Sequence, residues 1–519
     1  TVAENAPAAA IAVLANDTDA DDGPKSIASA TDPANGTVVI TGGGSGLTYA
    51  PDPGYCNSGP PPGPTDDFTY TLSPGGDTAT VAVRVDCAAD PAGPAADFNG
   101  DGFADRAVGV PLEDVGSVSD AGVVNVIYGS ATGLTDAGNQ VWNQSDLGGG
   151  ETAEAGDQFG RALTTGDFNQ DGFADLAVGA PFENVGSAAD AGTVNVIYGS
   201  ASGLTSAGNQ LWHQNSPGIP EAADAGDSLG GALASGDLNG DAVDDLAIGV
   251  PSETVGTTAG AGAVNTIYGS ASGLTSAGSQ IWNQNSAAIA EASEAGDLFG
   301  AAVAAGDLNG DARDDLAIGA PSESVGSTAD AGSVNVIYGS GSGLSGTGNQ
   351  LWHQNQPSIL ELGDAGDAFG AALASGDLNG DARDDLAIGV PSETVGTTPA
   401  GAGAVNTIYG SASGLTSAGN QLWHQGSPGI AEALEAGESL GAALGIGAFD
   451  GNAFDDLAIG VPLESVGTVA GAGAMNVIYG SGSGLFSTGN QLWSQDSPNI
   501  LEAGEASDRF GAALGADAP

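Results

Sequence analysis

Asp167, Asn169, Asp171 and Asp175 stand in the nine-residue stretch DFNQDGFAD, three polar side chains at alternate positions and a fourth acid closing the row. Oxygens spaced this way in a tight loop can converge on one point, and a hard cation such as Ca2+ takes six to eight oxygen ligands. The stretch recurs as Asp97, Asn99, Asp101 and Asp105 in DFNGDGFAD, and as Asp237, Asn239, Asp241 and Asp245 in DLNGDAVDD. Two further copies read DLNGDARDD, with Asp307, Asn309, Asp311 and Asp315, then Asp377, Asn379, Asp381 and Asp385. A worn sixth copy, AFDGNAFDD, keeps Asp450, Asn452 and Asp456 but has Ala448 in the first position. The copies begin at residues 97, 167, 237, 307, 377 and 448, a fixed period that marks repeated modules.

Three carboxylates in nine residues repel one another unless a cation lies among them; the plain alternative is an Asx turn without an ion. A backbone carbonyl at the seventh position, from Phe103, Phe173, Val243, Arg313 or Arg383, is a further candidate ligand. About five or six Ca2+ ions are therefore expected, with the sixth site weak or empty. Ala242, Ala312 and Ala382 occupy the sixth position, where a left-handed backbone favours glycine. An EF-hand is excluded, because its twelfth-position acid is replaced by Val178 and no helix pair flanks the loop.

The segments around each loop read as strands. In the repeat at Asp377 these are residues 369–377, 385–391, 402–411 and 421–425, rich in small and β-branched residues and too glycine-rich for long helices. Four antiparallel strands per repeat of about 70 residues make one blade of a β-propeller. The acidic loop then joins two strands of a hairpin. Six loops and six Trp (142, 212, 282, 352, 423 and 493) predict six blades, the Trp packing between them. The first loop has no FG strand before it, and the last FG strand, from Arg509, has no loop after it. A C-terminal strand completing the N-terminal blade would leave no sheet edge open; an open fragment of a longer array is the alternative.

At 519 residues the chain exceeds a single compact core. It carries 65 acids against 7 Lys and Arg, a net charge of −58, which disfavours nucleic acid and anionic membranes. No apolar run is long enough for a membrane-spanning helix. No leader is visible, and a start after a removed leader is expected. Residues 1–88 alternate short strands with Gly, Pro, Asn and Asp, as in a small β-sandwich. Cys56 and Cys87 are an even pair, expected as a disulfide if the chain is secreted and otherwise as two buried thiols. Residues 89–96 are a Pro/Ala/Gly linker. The fold class is thus all-β: a sandwich over 1–88 and a propeller over 97–519.

Two resemblances sharpen this reading. VAEN at Val2, VLANDTDAD at Val13, NGTVVI at Asn35, LTYAPDPGY at Leu47 and DFTYTL at Asp67 look like bacterial immunoglobulin-like or cadherin-like modules of surface adhesins. Cadherin linkers bind Ca2+; the acids Glu4, Asp17, Asp19, Asp21 and Asp22 are read as a polar turn or such a linker site. From residue 97 onward, the order FG (Phe159, Gly160), acidic loop, GAP (Gly179, Ala180, Pro181) resembles the FG-GAP repeats of integrin α-subunit propellers and their bacterial relatives. The resemblance implies Ca2+ in the hairpin loops, at the positions named above.

Acids at i, i+3 and i+6 before each FG strand (Glu151, Glu154, Asp157; Glu221, Asp224, Asp227; Glu291, Glu294, Asp297) are a second candidate cation rim or a solvated loop. His213, His353 and His424 share one repeat position where other copies have Asn or Ser, so they are not read as ligands. No nucleophile elbow, phosphate loop or HExxH breaks the repeat symmetry. The expectation is a non-enzymatic, Ca2+-stabilised extracellular recognition or adhesion protein. It would bind an extracellular protein or glycan. The alternatives are a self-assembling filament or surface-layer subunit and a propeller-bearing polysaccharide hydrolase or lyase.

Overall fold

A computed structural model describes residues 2–3, 8–15, 25–33, 35–51, 65–86, 96–148, 152–396, 401–431, 433–452, 454–498, 500 and 503–514. Cys56, Cys87, Glu4, Asp17, Asp19, Asp21, Asp22 and Glu151 lie outside them. The chain divides into two compact units, Thr1–Gly93 and Pro94–Pro519.

The first unit is built from two three-stranded antiparallel sheets and a parallel pair, Val2–Ala3 with Val85–Asp86. Gly46–Pro51 lies between Ala9–Ile11 and Gly36–Thr41; Asp66–Ser73 lies between Ser26–Ala30 and Thr78–Val83. Side chains alternate along the central strands: Leu47, Tyr49, Phe68 and Tyr70 point inward with Ile27, Val83 and Val85. Tyr49 Oη donates to the buried Asp66 at 2.9 Å.

The second unit is six β-sheets in chain order, the blades of a propeller. Blade 2 is typical: Ala162–Gly166, Asp175–Ala180, Thr193–Tyr198 and Thr205–Trp212 run as an antiparallel meander. The strand after FG is innermost and packs on the matching strand of the next blade. The second and third strands are buried at every residue. Both faces meet a neighbouring blade, so DLAVGA and TVNVIY read as continuous apolar or small runs rather than alternating ones. The fourth strand begins earlier than expected, at Thr205 rather than near Gln210. Gly208, at φ +83°, lets the chain bulge so that Thr205 still pairs with Tyr198.

The FG-GAP motif has a steric explanation. The FG glycine donates its N–H to the GAP glycine of its own blade, as Gly300 does to Gly319 at 2.9 Å. Its carbonyl meets the GAP glycine of the preceding blade; a Cβ on Gly249 would lie 2.1 Å from Gly300 O. The same close approach recurs between Gly179 and Gly230, Gly319 and Gly370, and Gly389 and Gly441. Outside this seam, apolar clusters fill each gap between blades, one of them joining Val264 and Trp282 to Phe299, Ile318 and Leu344. The Trp therefore act as wedges.

Among the described residues, blade 1 has three strands, Arg106–Val110, Val123–Tyr128 and Thr135–Trp142. Leu514, from the C-terminal FG segment, packs on blade 6 with Tyr479 and Trp493. The rest of the expected closing strand falls on residues 515–519, outside the described set.

Candidate metal centres in the blade hairpins

In blades 2 to 6 each acidic stretch is the hairpin between the first and second strands; in blade 1 it leads directly into Arg106–Val110, the first strand described there. In blade 3, Asp237 accepts from Gly240 N at 2.7 Å, Asp241 N at 2.9 Å and Ala242 N at 2.8 Å. The first acid thus winds the backbone around its own carboxylate. This requires left-handed residues at the fourth and sixth positions, met by Gly240 at φ +77° and Ala242 at φ +63°. Ala312 and Ala382 adopt the same conformation, at φ +63° and +61°, despite carrying a Cβ. The fifth acid turns back likewise: Asp171 Oδ1 accepts from Phe173 N at 3.0 Å, and Asp101 Oδ1 from Phe103 N at 3.0 Å.

The ninth-position acid opens the second strand and is wholly buried, at 0% exposure for Asp175, Asp245, Asp315 and Asp385. Asp175 is anchored at both oxygens, by Phe168 N at 3.0 Å and by Gly199 N at 2.8 Å. Burial, with the charges of Asp167 and Asp171 adding to it, pushes the Asp175 carboxyl up to about 8. Asp245, Asp315 and Asp385 are pushed up to about 8 for the same reasons, and Asp105 to about 6.

The donor chemistry suits a hard cation, carboxylates and an amide beside one buried carboxylate that burial and its acidic neighbours both disfavour as an anion, but among the described residues no three hairpin carboxylates bring their oxygens within 4.8 Å of one another. The copies differ in readiness. In loops 1 and 2, Asn99 and Asn169 use Oδ1, accepting from Asp101 N and Asp171 N at 2.9 Å. In loops 3 to 5 the amide nitrogen faces the buried acid, Asn309 Nδ2 lying 2.9 Å from Asp315 Oδ2. There the amide must turn over to offer its oxygen.

The seventh-position side chains link consecutive loops. A Cβ on Gly100 would lie 2.6 Å from Phe173, and one on Gly310 would lie 2.8 Å from Arg383 Nε. Arg313 and Arg383 also lie 3.8 and 3.6 Å from Asp311 and Asp381, part of the compensation a cation would otherwise supply. In the sixth copy Asp456 keeps both backbone donors, Phe449 N at 2.8 Å and Gly480 N at 2.9 Å. Asn452 stands in the fifth position and binds Asp450 instead, and Ala448 supplies no cap.

Sequence reasoning passed over the eighth position. Asp244, Asp314, Asp384 and Asp455 each accept from the first loop residue of the preceding blade, Asp244 Oδ2 from Asp167 N at 2.7 Å. They tie neighbouring loops into one layer. The signal was present as the doubled Asp in copies 3 to 6, where copies 1 and 2 have Ala104 and Ala174. His213, His353 and His424 sit just after the fourth strand, and burial lowers the basicity of all three.

Comparison with known proteins agrees with the repeat plan. The FG-GAP repeat pattern matches residues 159–197, 229–264, 299–337 and 369–405, and the bacterial Ig domain pattern matches residues 1–86. Phosphatidylinositol-glycan-specific phospholipase D of Mus musculus is 36% identical over 157 residues, 30% of this chain and 17% of that protein. Integrin alpha-PS2 of Drosophila melanogaster is 31% identical over 238 residues, 45% of this chain and 15% of that protein. The chain thus spans less than a fifth of the length of these curated relatives. Among solved structures, rhamnogalacturonan lyase YesW covers 95% of this chain and 73% of its own at 11% identity, with a TM-score of 0.33, too low to bear on fold or function. The chain carries integrin-like FG-GAP repeats behind a bacterial Ig domain.

Proposed function

We propose that this is a non-enzymatic extracellular recognition or adhesion protein whose propeller is fixed by Ca2+ in its hairpin loops. The observation that carries the reading is the repeated loop itself. Asp175, Asp245, Asp315 and Asp385 are buried acids surrounded by further acids. Asp167, Asn169, Asp171 and Asp175 would hold the ion in loop 2, and their equivalents in loops 1, 3, 4 and 5, with the carbonyl of the seventh residue. The cation would supply charge compensation alone. The chain's own residues do the rest: the first acid winds the loop, the ninth joins it to the sheet, and the eighth bonds one loop to the next. The result is a stiff rim able to present a surface to a protein or glycan. Loops 1 and 2 bind more tightly than 4 and 5, where Arg313 and Arg383 already stand beside the acids.

The test is thermal melting with Ca2+ and with excess chelator, together with binding to glycan and matrix-protein arrays under both conditions. Chelation lowers the melting temperature through lost linkage, and Asp171→Ala lowers it less, because one site of several is lost. Unchanged melting and unchanged array binding in chelator would overturn the proposal.

A second reading, a self-assembling subunit, draws on the outer blades. Leu134 of blade 1 is 57% exposed, whereas Leu204 and Leu274 at the same position are 3% exposed. Those two accept from Gln140 Nε2 and Gln210 Nε2 of the preceding blade, both at 3.0 Å. In blade 6, Gln491 instead accepts from Trp493 Nε1 at 2.9 Å. A face of the blade-6 type is complementary to a face of the blade-1 type, within one chain or between two.

A further inference from the structure

The antiparallel meander puts the connections between second and third strands, and those between blades, at the end of the propeller opposite the hairpin loops. At the junction of blades 1 and 2, Glu154, Asp157 and Glu183 bring carboxylate oxygens within 4.8 Å of one another. At the junction of blades 3 and 4, Glu294, Asp297 and Glu323 do the same. In each trio the second and third acids are buried. Asp157 Oδ2 and Asp297 Oδ2 accept from the backbone N–H of Glu154 and Glu294, both at 2.5 Å, which fixes the turn.

A second observation points to a ligand. Gln144 and Gln284, each 1% exposed, reach these clusters from the preceding blade. Gln144 Nε2 donates to Glu183 Oε2 at 2.6 Å, and Gln284 Nε2 donates to Glu323 Oε2. The Oε1 of each amide is buried with no donor, a feature shared by Gln214, Gln354 and Gln425 at the other junctions; only at these two does it stand beside three convergent acids. A buried amide oxygen without a partner costs on the order of 1–3 kcal/mol. Turning the amide over brings that oxygen to the carboxylates, an arrangement that a cation between them makes favourable.

We propose that these two clusters are additional sites for a hard divalent cation, distinct from the hairpin loops and at the other end of the propeller. Three carboxylates and an amide oxygen are hard ligands suited to Ca2+ or Mn2+. Of the five junctions between consecutive blades, only these two carry such a trio among the described residues. At the junctions of blades 2 and 3 and of blades 4 and 5 the first acid is Asp224 or Asp364. Their side chains are one methylene shorter than Glu, and no such convergent trio forms there among the described residues. At the junction of blades 5 and 6 the first acid is Glu435, but Glu438 replaces the second-position Asp, and again no trio forms.

The test uses the full chain and Mn2+ as probe. An anomalous difference map of Mn2+-soaked crystals should show a peak about 2.0–2.6 Å from the carboxylates of each trio. Metal analysis should show two fewer ions per chain in the Glu183→Gln/Glu323→Gln double variant, and no loss in Glu253→Gln. Peaks confined to the hairpin loops, or an unchanged ion count in the folded double variant, would overturn the proposal. If that variant fails to fold, the wild-type map decides. Peaks at the trios with bare hairpins would sink the hairpin reading and leave this one standing.

Discussion

Replacing Gly249 by Ala tests whether the blades interlock by backbone contact. Its new Cβ would lie 2.1 Å from Gly300 O, against the 3.0 Å that real Cβ contacts essentially never undercut, so blades 3 and 4 must separate locally by about 0.9 Å. The carbonyl cannot swing aside, because the Gly300 N–H is held by Gly319 O at 2.9 Å and the next strand begins there. A gap of about 0.5–1 Å forfeits a quarter to a half of the dispersion energy across it. The cluster around Val264, Trp282, Phe299 and Ile318 would bear that loss. Overpacking costs about 1–3 kcal/mol, and backbone meeting backbone belongs at the top of that range. For a unit of this size, at about 2.1 cal/mol/K of unfolding entropy per residue, the melting temperature falls by about 3 °C, readable by Trp fluorescence. Gly341→Ala is the control. Its Cβ meets nothing within 4 Å, its φ is not left-handed, and other blades carry Ala201, Ala271 and Ala412 there. It should be neutral or stabilising by about 0.4–1 kcal/mol. If Gly249→Ala melts within a degree of wild type, the interlock is wrong.

Three more outcomes are expected. Replacing Ala242, Ala312 and Ala382 together by Gly should raise the melting temperature. The left-handed penalty of about 1–2 kcal/mol per residue exceeds the glycine entropy cost of about 0.5–1 kcal/mol; a lower melting temperature would refute this. Glu253 is pushed up to about 7 by burial and then by Asp227, itself pushed up to about 6. Acids whose folded value is raised bind more protons folded than unfolded, so their contribution falls as pH rises from about 4.5 to about 7 and is flat above. In chelator, Glu253→Gln should therefore melt higher than wild type at pH 8, with the difference shrinking toward pH 5; an equal difference at both would refute the assignment. Finally, Leu163 pairs with Val178 in blade 2, and Leu514 and Val108 hold the matching positions of a completed blade 1. Cysteines at Leu514 and Val108 should crosslink within one chain on oxidation if the ring closes on itself. A ladder of oligomers would favour assembly between chains, and no crosslink would count against both.

The sequence by itself determined the repeat, the hairpin position of the acidic loops and the blade plan, because each is written in local spacing. Asp, Asn, Asp and a later Asp at fixed offsets demand a tight turn, and small and β-branched runs on either side demand strands. It also marked the left-handed sixth position, where the three Ala sit under strain. What only the tertiary structure decided depends on residues 39 to 77 apart. The FG and GAP glycines are ordinary in one dimension; their purpose appears when Gly249 of one blade lies against Gly300 of the next. Asp244 reads as a spare acid until its oxygen is found on Asp167 N. Gln144 and Glu183 have no visible relation in sequence, yet they meet at 2.6 Å. Local propensity fixes a blade, whereas the charges and contacts between blades arise only once stacking brings distant repeats within a bond length.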